Sequence, residues 1–320
     1  MSRFKIHHVT KYTYESAVRD SANQIVLYPI KDEYQEVLKH ELNITGDPLV
    51  EIYKDYYGNE IGSFASPESH FELVIDSRIE VNTRPREKPD DARPKEEQWS
   101  HLLQARNKVA LIDFLKVEQF DALAEITSVV ELAQNQELTP FTAALRLNEY
   151  VYENFRYIKG ITNVETTLNE IWKLKAGVSQ DFAHILSAML RIINIPARSV
   201  SGYVCPNESG MRGEGATHAW VEAYIPFYGW LGLDPTNNCI VRDLHVRLAV
   251  GRNFTDCSPV KGTYKGTSEQ TLEVGVTVSY EDGNSKEDFT TTLTTQPKIN
   301  ETQNSYRKFM EMQQQQQQQQ

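Results

Sequence analysis

The sequence predicts an α+β protein, with an N-terminal antiparallel β-sandwich followed by a core in which one buried helix packs on an antiparallel sheet. Three observations lead to this fold class. Residues 3–83 show the two-residue alternation of half-buried strands, residues 99–193 show helical periodicity, and strand patterns return from residue 197. Helices that are followed by strands within one domain are typical of the α+β class.

The first predicted domain, residues 1–84, consists of strands joined by short turns. The segment FKIHHVTKYTYES is rich in β-branched and aromatic residues, and VLKHELNITGD and HFELVIDSRIEVNT alternate apolar and polar positions. Gly58 and Asn59 mark a turn between the last two of these segments. Runs of strands with short turns favour a small antiparallel sandwich.

Changes of composition set the other boundaries. Residues 85–98 contain three prolines and many charges, which predicts an exposed linker. The core is assigned to residues 99–297, with the C-terminal strands included. Residues 298–320 form a low-complexity, glutamine-rich tail, which cannot bury enough apolar surface to become ordered.

Two predicted helices precede the centre of the core. Thr139 followed by Pro140 marks the start of a helix in TPFTAALRLNEYVYENF, because proline is favoured at the first helical position. Thr167 and Glu170 have the spacing of a capping box and begin a second, shorter helix. Gly177 suits the end of that helix or a turn.

A third and more apolar helix is predicted within KAGVSQDFAHILSAMLRIINIPAR. Its apolar side chains recur at helical spacing and form one continuous stripe of Phe182, Ile185, Leu186, Met189, Leu190 and Ile193. Asn194 and Pro196 end the pattern. The length of the stripe predicts that this is the buried central helix.

The remaining strands are predicted at ARSVSGYV, HAWVEAYI, GWLGLDPT, TLEVGVTVSY and FTTTLTT. The tight PFYG connection predicts that HAWVEAYI and GWLGLDPT pair as a hairpin. Alternation places His218 and Trp220 on one, more polar face of HAWVEAYI. The opposite face, which we expect to pack on the core, carries Ala219, Val221, Ala223 and Ile225.

Composition and charge exclude several classes of partner. A formal net charge of −11 gives no attraction to a phosphate backbone, so we expect no nucleic acid partner. No window reaches the roughly 18 apolar residues of a membrane span, and the N-terminus lacks the apolar run of a signal peptide. The three cysteines (Cys205, Cys239 and Cys257) have no metal-like spacing. We therefore expect a cytoplasmic protein that has no metal, no cofactor and no membrane partner.

Ser179 lies where the central helix begins. A residue at a helix N-terminus is close to backbone N–H groups without intrahelical partners and to the positive end of the helix dipole. A nucleophile at this place gains stabilisation of its anion, and the same N–H groups can bind the oxyanion of a tetrahedral intermediate. The competing interpretation is that the serine only caps the helix.

His218 and Asp234 are the candidate base and the group that orients it. If Ile225 pairs with Gly229 in the hairpin, Asp234 becomes a diagonal neighbour of His218 on the same face, at about 7–8 Å between the backbones. An imidazole and a carboxylate can bridge that gap. With Ser179 they satisfy the roles of a catalytic triad. Each residue also has a structural interpretation, since strand histidines are often structural and Asp-Pro steps form turns.

Three blocks of the chain resemble the bacterial transglutaminase-like family, a branch of the papain-like thiol enzymes. They are AGVSQDFAHILSAMLRIINIPARSVSGYV, THAWVEAYIPFYGWLGLDPTNN and AVGRNFTDCSPVKG. HHVTKYTYESAVRDSANQIVLYP and DYYGNEIGSF resemble that family's N-terminal β domain, so the resemblance covers most of residues 1–265. It implies a papain-like, transglutaminase-like core with a Cys-His-Asp triad. His218 and Asp234 match the family's histidine and aspartate, and Ser179 stands where the family has cysteine.

The serine changes the chemistry that the resemblance implies. A thiol beside an imidazolium and a helix N-terminus has a pKa well below its ordinary value of about 8.5 and can wait as a thiolate. A hydroxyl must lose its proton during attack, which requires a base placed for it. A site shaped around sulfur is not expected to supply that geometry. Cys205 and Cys257 do not begin a helix, so neither is expected to replace the nucleophile.

Two hypotheses follow. In the first, the chain is a thiol hydrolase or acyltransferase scaffold that acts on amide bonds of a peptide or protein, largely inactive with Ser179 in the nucleophile position. In the second, the same fold is a non-catalytic module that binds a peptide or protein. A native gene that encodes serine at position 179 favours binding, and one that encodes cysteine favours the enzyme.

Overall fold

The computed structural model describes residues 2–134, 138–162, 166–205, 211–213, 217–266, 268–280 and 289–290. Within these ranges the α-helices are α1 (Lys95–Ala105), α2 (Val109–Ile112), α3 (Leu123–Gln134), α4 (Pro140–Asn154), α5 (Leu168–Leu174) and α6 (Ser179–Ile192). Short 3₁₀ turns occupy Asp113–Leu115 and Phe254–Cys257. None of the helices in the described ranges has the length and apolar character needed to cross a membrane.

The strands of the N-terminal half are β1 (Ser2–Ile25), β2 (Gln35–Ile44), β3 (Glu51–Lys54), β4 (Glu60–Ser66), β5 (His70–Thr83), β6 (Arg156–Tyr157) and β7 (Ala176–Gly177). Those of the C-terminal half are β8 (Ala197–Val204), β9 (Thr217–Ile225), β10 (Gly229–Asp234), β11 (Cys239–Ile240), β12 (His245–Gly251), β13 (Val260–Lys265), β14 (Gln270–Tyr280) and β15 (Phe289–Thr290).

The long strand β1 organises the N-terminal domain. Its first half pairs with β5 and β14, and its second half pairs with β4 and β13, always antiparallel. The partners change after Thr13, where the pairing of β1 with β5 becomes irregular and the strand passes from one ladder to the other. The structure therefore confirms the antiparallel β domain that the alternating sequence predicts.

The C-terminal strands belong to this sheet and not to the core. β14 pairs with β1 over residues 4–14, and β13 pairs with it over residues 19–25. The prediction that residues 99–297 form one core is therefore wrong for these strands. Alternation identifies a half-buried strand, but it does not identify the strand with which it pairs.

Two further boundaries can be compared with the sequence analysis. Helix α1 begins at Lys95, inside the segment 85–98 that was predicted to be a linker. The predicted tail, residues 298–320, lies outside the described residues.

The core packs α6 against a five-stranded antiparallel sheet of order β11-β10-β9-β8-β12. The predicted apolar stripe of α6 is buried along its whole length, and the small apolar face of β9 packs against it, as the sequence analysis expects. Since β9 is the middle strand of the sheet, α6 is the central helix of this layer.

The N-terminal domain covers the other face of the core sheet. Trp220, on the opposite face of β9 from α6, is fully buried in a cluster against which Ile30 and Tyr57 of the N-terminal domain pack. Arg247 of β12 forms an ion pair with Asp32. The face predicted to be more polar is therefore an interface between the two domains.

Two side-chain amides of the N-terminal domain also bind the backbone of β12. The N–H of Arg247 donates to Oε1 of Gln35 at 2.7 Å, and Nδ2 of Asn59 donates to the carbonyl of Val250 at 2.7 Å. The N–H of Val250 returns a bond to Oδ1 of Asn59 at 2.8 Å. These amides satisfy backbone groups of a strand that lies at the edge of its sheet.

Candidate active site

Ser179 is the first residue of α6, but it does not cap the helix. The N-cap is Val178, whose backbone is extended (φ −116°, ψ −174°). The carboxylate that satisfies this terminus is Asp181, whose Oδ2 accepts the N–H of Val178 at 2.7 Å and the hydroxyl of Thr162 at 2.6 Å. The capping interpretation of Ser179 is therefore not supported, and its hydroxyl makes a different contact.

The hydroxyl of Ser179 contacts the backbone of the central strand. Its Oγ accepts the N–H of Ala219 at 3.3 Å, and Ala219 directly follows His218 in β9. The N-terminus of α6 and the candidate base are thus adjacent. Among the contacts of the described residues, no hydrogen bond joins Ser179 Oγ to the imidazole of His218, whose Nδ1 is buried without a partner.

The β9–β10 hairpin has the register that the sequence analysis considered. Ile225 pairs with Gly229, so the loop is residues 226–228, and Val221 pairs with Leu233. This register makes Asp234 a diagonal neighbour of His218 on the same face. The side chains close the gap, since Nε2 of His218 lies 2.9 Å from Oδ2 of Asp234.

The carboxylate of Asp234 is fully buried and surrounded by donors. Besides His218, Oδ2 lies 2.8 Å from Nδ2 of Asn237 and 3.2 Å from Nε2 of His245, while Oδ1 accepts the N–H of Thr236 at 2.9 Å. Burial opposes ionisation, but the charges and hydrogen bonds of His218 and His245 outweigh it and hold the pKa of Asp234 well below its usual range. The group is therefore a carboxylate at neutral pH and can orient an imidazole.

A short segment, residues 211–213, covers the imidazole of His218. Gly213 has a φ of +85°, and a Cβ at this position would lie 2.7 Å from Nδ1 of His218. Asn237 holds the segment, because it accepts the N–H of Arg212 at 2.7 Å and donates to its carbonyl at 3.2 Å. His218 is only 1% exposed beneath this segment.

Sequence reasoning missed three residues of this site. Asn237 follows Asp234 by three residues in a turn, and Asp181 stands three residues after the N-cap of α6, so local turn and capping patterns could have identified both. No local turn or capping pattern in the sequence indicates His245. It begins β12, which pairs with β8, and it approaches Asp234 only after the sheet has formed.

The three cysteines differ in their surroundings. Cys205 and Cys257 are fully buried. Burial, reinforced by Asp243, raises the pKa of Cys205 well above its ordinary value, and burial with Asp256 raises the pKa of Cys257 to about 12. These shifts disfavour a thiolate at either position. Cys239 is half-buried and pairs with Asp234 across β10 and β11.

Comparisons with known proteins match both parts of the chain. Residues 129–235 match the model of the transglutaminase-like superfamily, and residues 4–82 match that of the bacterial transglutaminase-like N-terminal region. An uncharacterized protein of Mycobacterium leprae is 32% identical over 288 residues, which cover 87% of this chain and 99% of that protein. A protein-glutamine gamma-glutamyltransferase of Pseudomonas aeruginosa is 30% identical over 113 residues, 33% of this chain and 17% of that protein.

A solved structure shares the fold over nearly the whole length. A crystal structure from Cytophaga hutchinsonii, provisionally described as a cysteine protease, superposes with a TM-score of 0.70 and 21% identity. The match covers 92% of this chain and 98% of that chain. Together with the two matching models and the mycobacterial relative, it shows that the chain belongs to the transglutaminase-like superfamily, with the bacterial N-terminal region of that family.

Proposed function

We propose that this chain is a transglutaminase-like hydrolase or acyltransferase for amide bonds of peptides or proteins, in which Ser179 occupies the nucleophile position. His218 is the base and Asp234 orients it. The observation that carries the proposal is the 2.9 Å contact between Nε2 of His218 and the buried carboxylate of Asp234. His218 directly precedes Ala219, whose backbone N–H donates to the hydroxyl of Ser179. An imidazole held by a carboxylate beside a helix N-terminus has the parts that nucleophilic catalysis needs.

The proposed reaction follows from these positions. Nδ1 of His218 accepts the proton of the nucleophile at position 179 as that atom attacks the carbonyl carbon of the amide. Backbone N–H groups of the first turn of α6 stabilise the oxyanion. The imidazolium then gives its proton to the leaving amine, and the acyl group remains on residue 179. Water or a second amine attacks the acyl group, again with His218 as base, and regenerates the nucleophile.

Serine makes this reaction slow. The Oγ atom of Ser179 accepts a hydrogen bond from Ala219 and makes none to His218 among the described contacts. A hydroxyl needs that hydrogen bond, because its proton must reach the base as the carbon–oxygen bond forms. A thiolate needs it less, since its proton has left before attack. We therefore expect amide turnover to be orders of magnitude slower with serine than with cysteine.

The substrate we propose is the carboxamide of a glutamine in a protein or peptide. The support is the Pseudomonas relative, which is a protein-glutamine gamma-glutamyltransferase and matches 113 residues of this chain. A small acyl donor with a flexible side chain also suits a site whose catalytic groups are nearly buried, with Ser179 at 7% and His218 at 1% exposed.

The test compares the unsubstituted chain, with serine at position 179, with Ser179→Cys. Both proteins are treated with iodoacetamide and mapped by peptide mass spectrometry, and both are assayed for ammonia release from a glutaminyl peptide, with and without a primary amine. We expect rapid alkylation at position 179 and ammonia release for the cysteine form, and little turnover for the serine form. Incorporation of the amine distinguishes transfer from hydrolysis.

Two controls make the result specific. Ser179→Ala sets the background of the amide assay, and Ser179→Cys with His218→Gln keeps the thiol but removes the base. We expect the double variant to lose most of the turnover of the single variant. An unlabelled residue 179, or equal turnover in the serine and cysteine forms, would reject the enzyme proposal.

The second candidate function is a module that binds a peptide or protein without catalysis. The missing hydrogen bond between Ser179 and His218 favours it, since the serine form lacks the activated nucleophile. Here we expect glutaminyl peptides to bind the unsubstituted chain and Ser179→Ala with equal affinity in calorimetry. Binding that coexists with no turnover in Ser179→Cys would establish this function in place of the first.

A further inference from the structure

A second cluster of side chains shares Asp234 with the candidate triad. Cys239 pairs with Asp234 in the β10–β11 ladder, and His245 begins β12. A carboxylate oxygen of Asp234, the thiol of Cys239 and a ring nitrogen of His245 all lie within 4.8 Å of one another. One thiolate, one imidazole and one carboxylate are a ligand set that suits Zn²⁺, with a fourth position left for water.

The distance between two of these atoms already equals that between two ligands of one zinc ion. Two ligands bound tetrahedrally at about 2.0 Å from zinc lie about 3.3 Å apart, and Nε2 of His245 lies 3.2 Å from Oδ2 of Asp234. A zinc-bound sulfur at about 2.3 Å would lie about 3.5 Å from each of them. The sulfur of Cys239 lies within 4.8 Å of a carboxylate oxygen of Asp234 and of a ring nitrogen of His245, so it has to approach these groups to bind the same ion. Cys239 lies on β11, an edge strand of two residues.

The ring proton of His245 can move to the other nitrogen of the ring without displacing a hydrogen bond at that nitrogen. Nδ1 of His245 is buried and has no hydrogen-bond partner among the described residues. The ring proton can therefore move from Nε2 to Nδ1, which frees the Nε2 lone pair for the metal. The thiol of Cys239 supplies the third ligand. Binding of Zn²⁺ displaces the thiol proton to solvent.

An ion can reach this cluster from solvent. An open groove of about 330 Å³ lies between α4 and the turn before β11, and Cys239 lines it with Asn238, Thr142 and Glu149. Cys239 belongs to both the groove and the cluster. The other two ligands, Asp234 and His245, are almost fully buried behind it, so the chelate would exclude water except at the open coordination position.

We propose that Asp234, Cys239 and His245 form a binding site for Zn²⁺. A zinc ion on Asp234 withdraws negative charge from the hydrogen bond to His218, so occupancy lowers the activity of the triad. This second statement rests on the proposed function, and the binding of the metal does not.

The binding test uses Co²⁺ as a spectroscopic substitute for Zn²⁺ in the unsubstituted chain. Serine at position 179 is an advantage here, because Cys205 and Cys257 are buried and Cys239 is the accessible thiol. We expect the visible bands of tetrahedral Co²⁺ together with a near-ultraviolet thiolate-to-metal band, and both are displaced by Zn²⁺. Release of one proton per ion, measured by calorimetry in two buffers, is the second readout.

The matched variants are Cys239→Ala, His245→Gln and, as a control, Cys257→Ala, each checked for folding by circular dichroism. We expect Cys239→Ala to abolish the thiolate band and to weaken zinc binding by at least about tenfold, His245→Gln to weaken it similarly, and Cys257→Ala to change neither. A thiolate band that persists in Cys239→Ala, or the absence of this band in the unsubstituted chain, would overturn the site.

The regulatory statement has its own test in the Ser179→Cys form. We expect Zn²⁺ to inhibit this form at lower concentrations than the same form with Cys239→Ala, which keeps the triad. Equal sensitivity would overturn the regulatory statement, since zinc would then act directly on the thiol at position 179. Failure of the proposed function is a different result, because an inactive Ser179→Cys form leaves the spectroscopic test unaffected.

Discussion

The hydroxyl of Ser179 accepts a hydrogen bond of 3.3 Å from the backbone N–H of Ala219, the neighbour of His218 in β9. This contact joins the first residue of the central helix to the strand that carries the imidazole. A fixed N–H group stabilises an anion more than it stabilises a neutral hydroxyl. The pair therefore defines a position at which an ionised nucleophile is favoured.

The first prediction concerns ionisation at this position. In Ser179→Cys, we expect the rate of alkylation by iodoacetamide to rise with an apparent pKa at least about one unit below the ordinary thiol value of about 8.5. Replacement of His218 by Gln in that background should return the midpoint towards the ordinary value. A midpoint that His218→Gln does not move would show that the imidazole does not interact with residue 179.

The second prediction concerns the buried carboxylate. Asp234→Asn places an amide N–H₂ against the donors of His218, His245 and Asn237, so at least one buried polar group loses its partner. We expect the free energy of unfolding to fall by about 3–5 kcal/mol at neutral pH, measured with urea. Asp121→Asn, at an exposed position, is the control and should change it by less than about 0.5 kcal/mol. Equal effects of the two substitutions would contradict the network.

The third prediction concerns the cover over the imidazole. Gly213 and Gly160 both have positive φ, at +85° and +80°, so alanine strains the backbone at either position. A Cβ at residue 213 meets Nδ1 of His218 at 2.7 Å, whereas at residue 160 it meets nothing within 4 Å. In the Ser179→Cys background, we expect Gly213→Ala to slow alkylation at residue 179 by about tenfold or more through displacement of the imidazole. Gly160→Ala should leave the rate of alkylation unchanged. Equal rates for the two alanine variants would show that residues 211–213 move and that the imidazole stays in place.

The fourth prediction concerns the acid at the start of α6. Burial raises the pKa of Asp181 to about 6, against the hydrogen bonds of Thr162 and Val178. The folded protein therefore binds this proton more tightly than the unfolded chain does. Below a pH of about 4 the carboxyl group is protonated in both states and does not lower the free energy of unfolding, whereas between pH of about 4 and about 6 it lowers that free energy progressively. Asp181→Asn keeps an acceptor oxygen for both donors and removes the charge.

Unfolding in urea at several pH values checks this expectation. We expect the free energy of unfolding of Asp181→Asn, relative to that of the unsubstituted chain, to increase by about 1–3 kcal/mol between pH 4 and pH 7. Titrations elsewhere in the molecule cancel in this difference. A difference that stays constant between pH 4 and pH 7 would show that burial does not raise the pKa of Asp181.

Local patterns in the sequence predicted much of the scaffold. Thr139 and Thr167 cap α4 and α5 as expected, with Pro140 at the first helical position and Glu170 completing the capping box. The hairpin itself was predicted, but its register was left open between a three-residue loop, a five-residue loop and a bulge; the structure has the three-residue loop, in which Ile225 pairs with Gly229 and Asp234 lies on the face of His218. These features depend on residues that are close in the chain.

Features that depend on distant parts of the chain could not be predicted in the same way. Both β13 and β14 alternate like any half-buried strand, so their pairing with β1 had no local signal. His245 is eleven residues from Asp234 and reaches it from the far edge strand of the sheet. The alternative in which Ser179 caps α6 is not supported, because the N-cap is Val178, an unusual residue for this position whose N–H is bound by Asp181.

The amides of Gln35 and Asn59 have a consequence for any attempt to isolate the core. They occupy backbone groups of β12 that would otherwise form an open edge of the sheet. A fragment that begins at residue 95 lacks both amides, and it exposes donors and acceptors that invite edge-to-edge association with a second molecule. We therefore expect the N-terminal domain to protect the core against self-association, so excision of the core should yield polymers or insoluble material in place of a smaller folded protein.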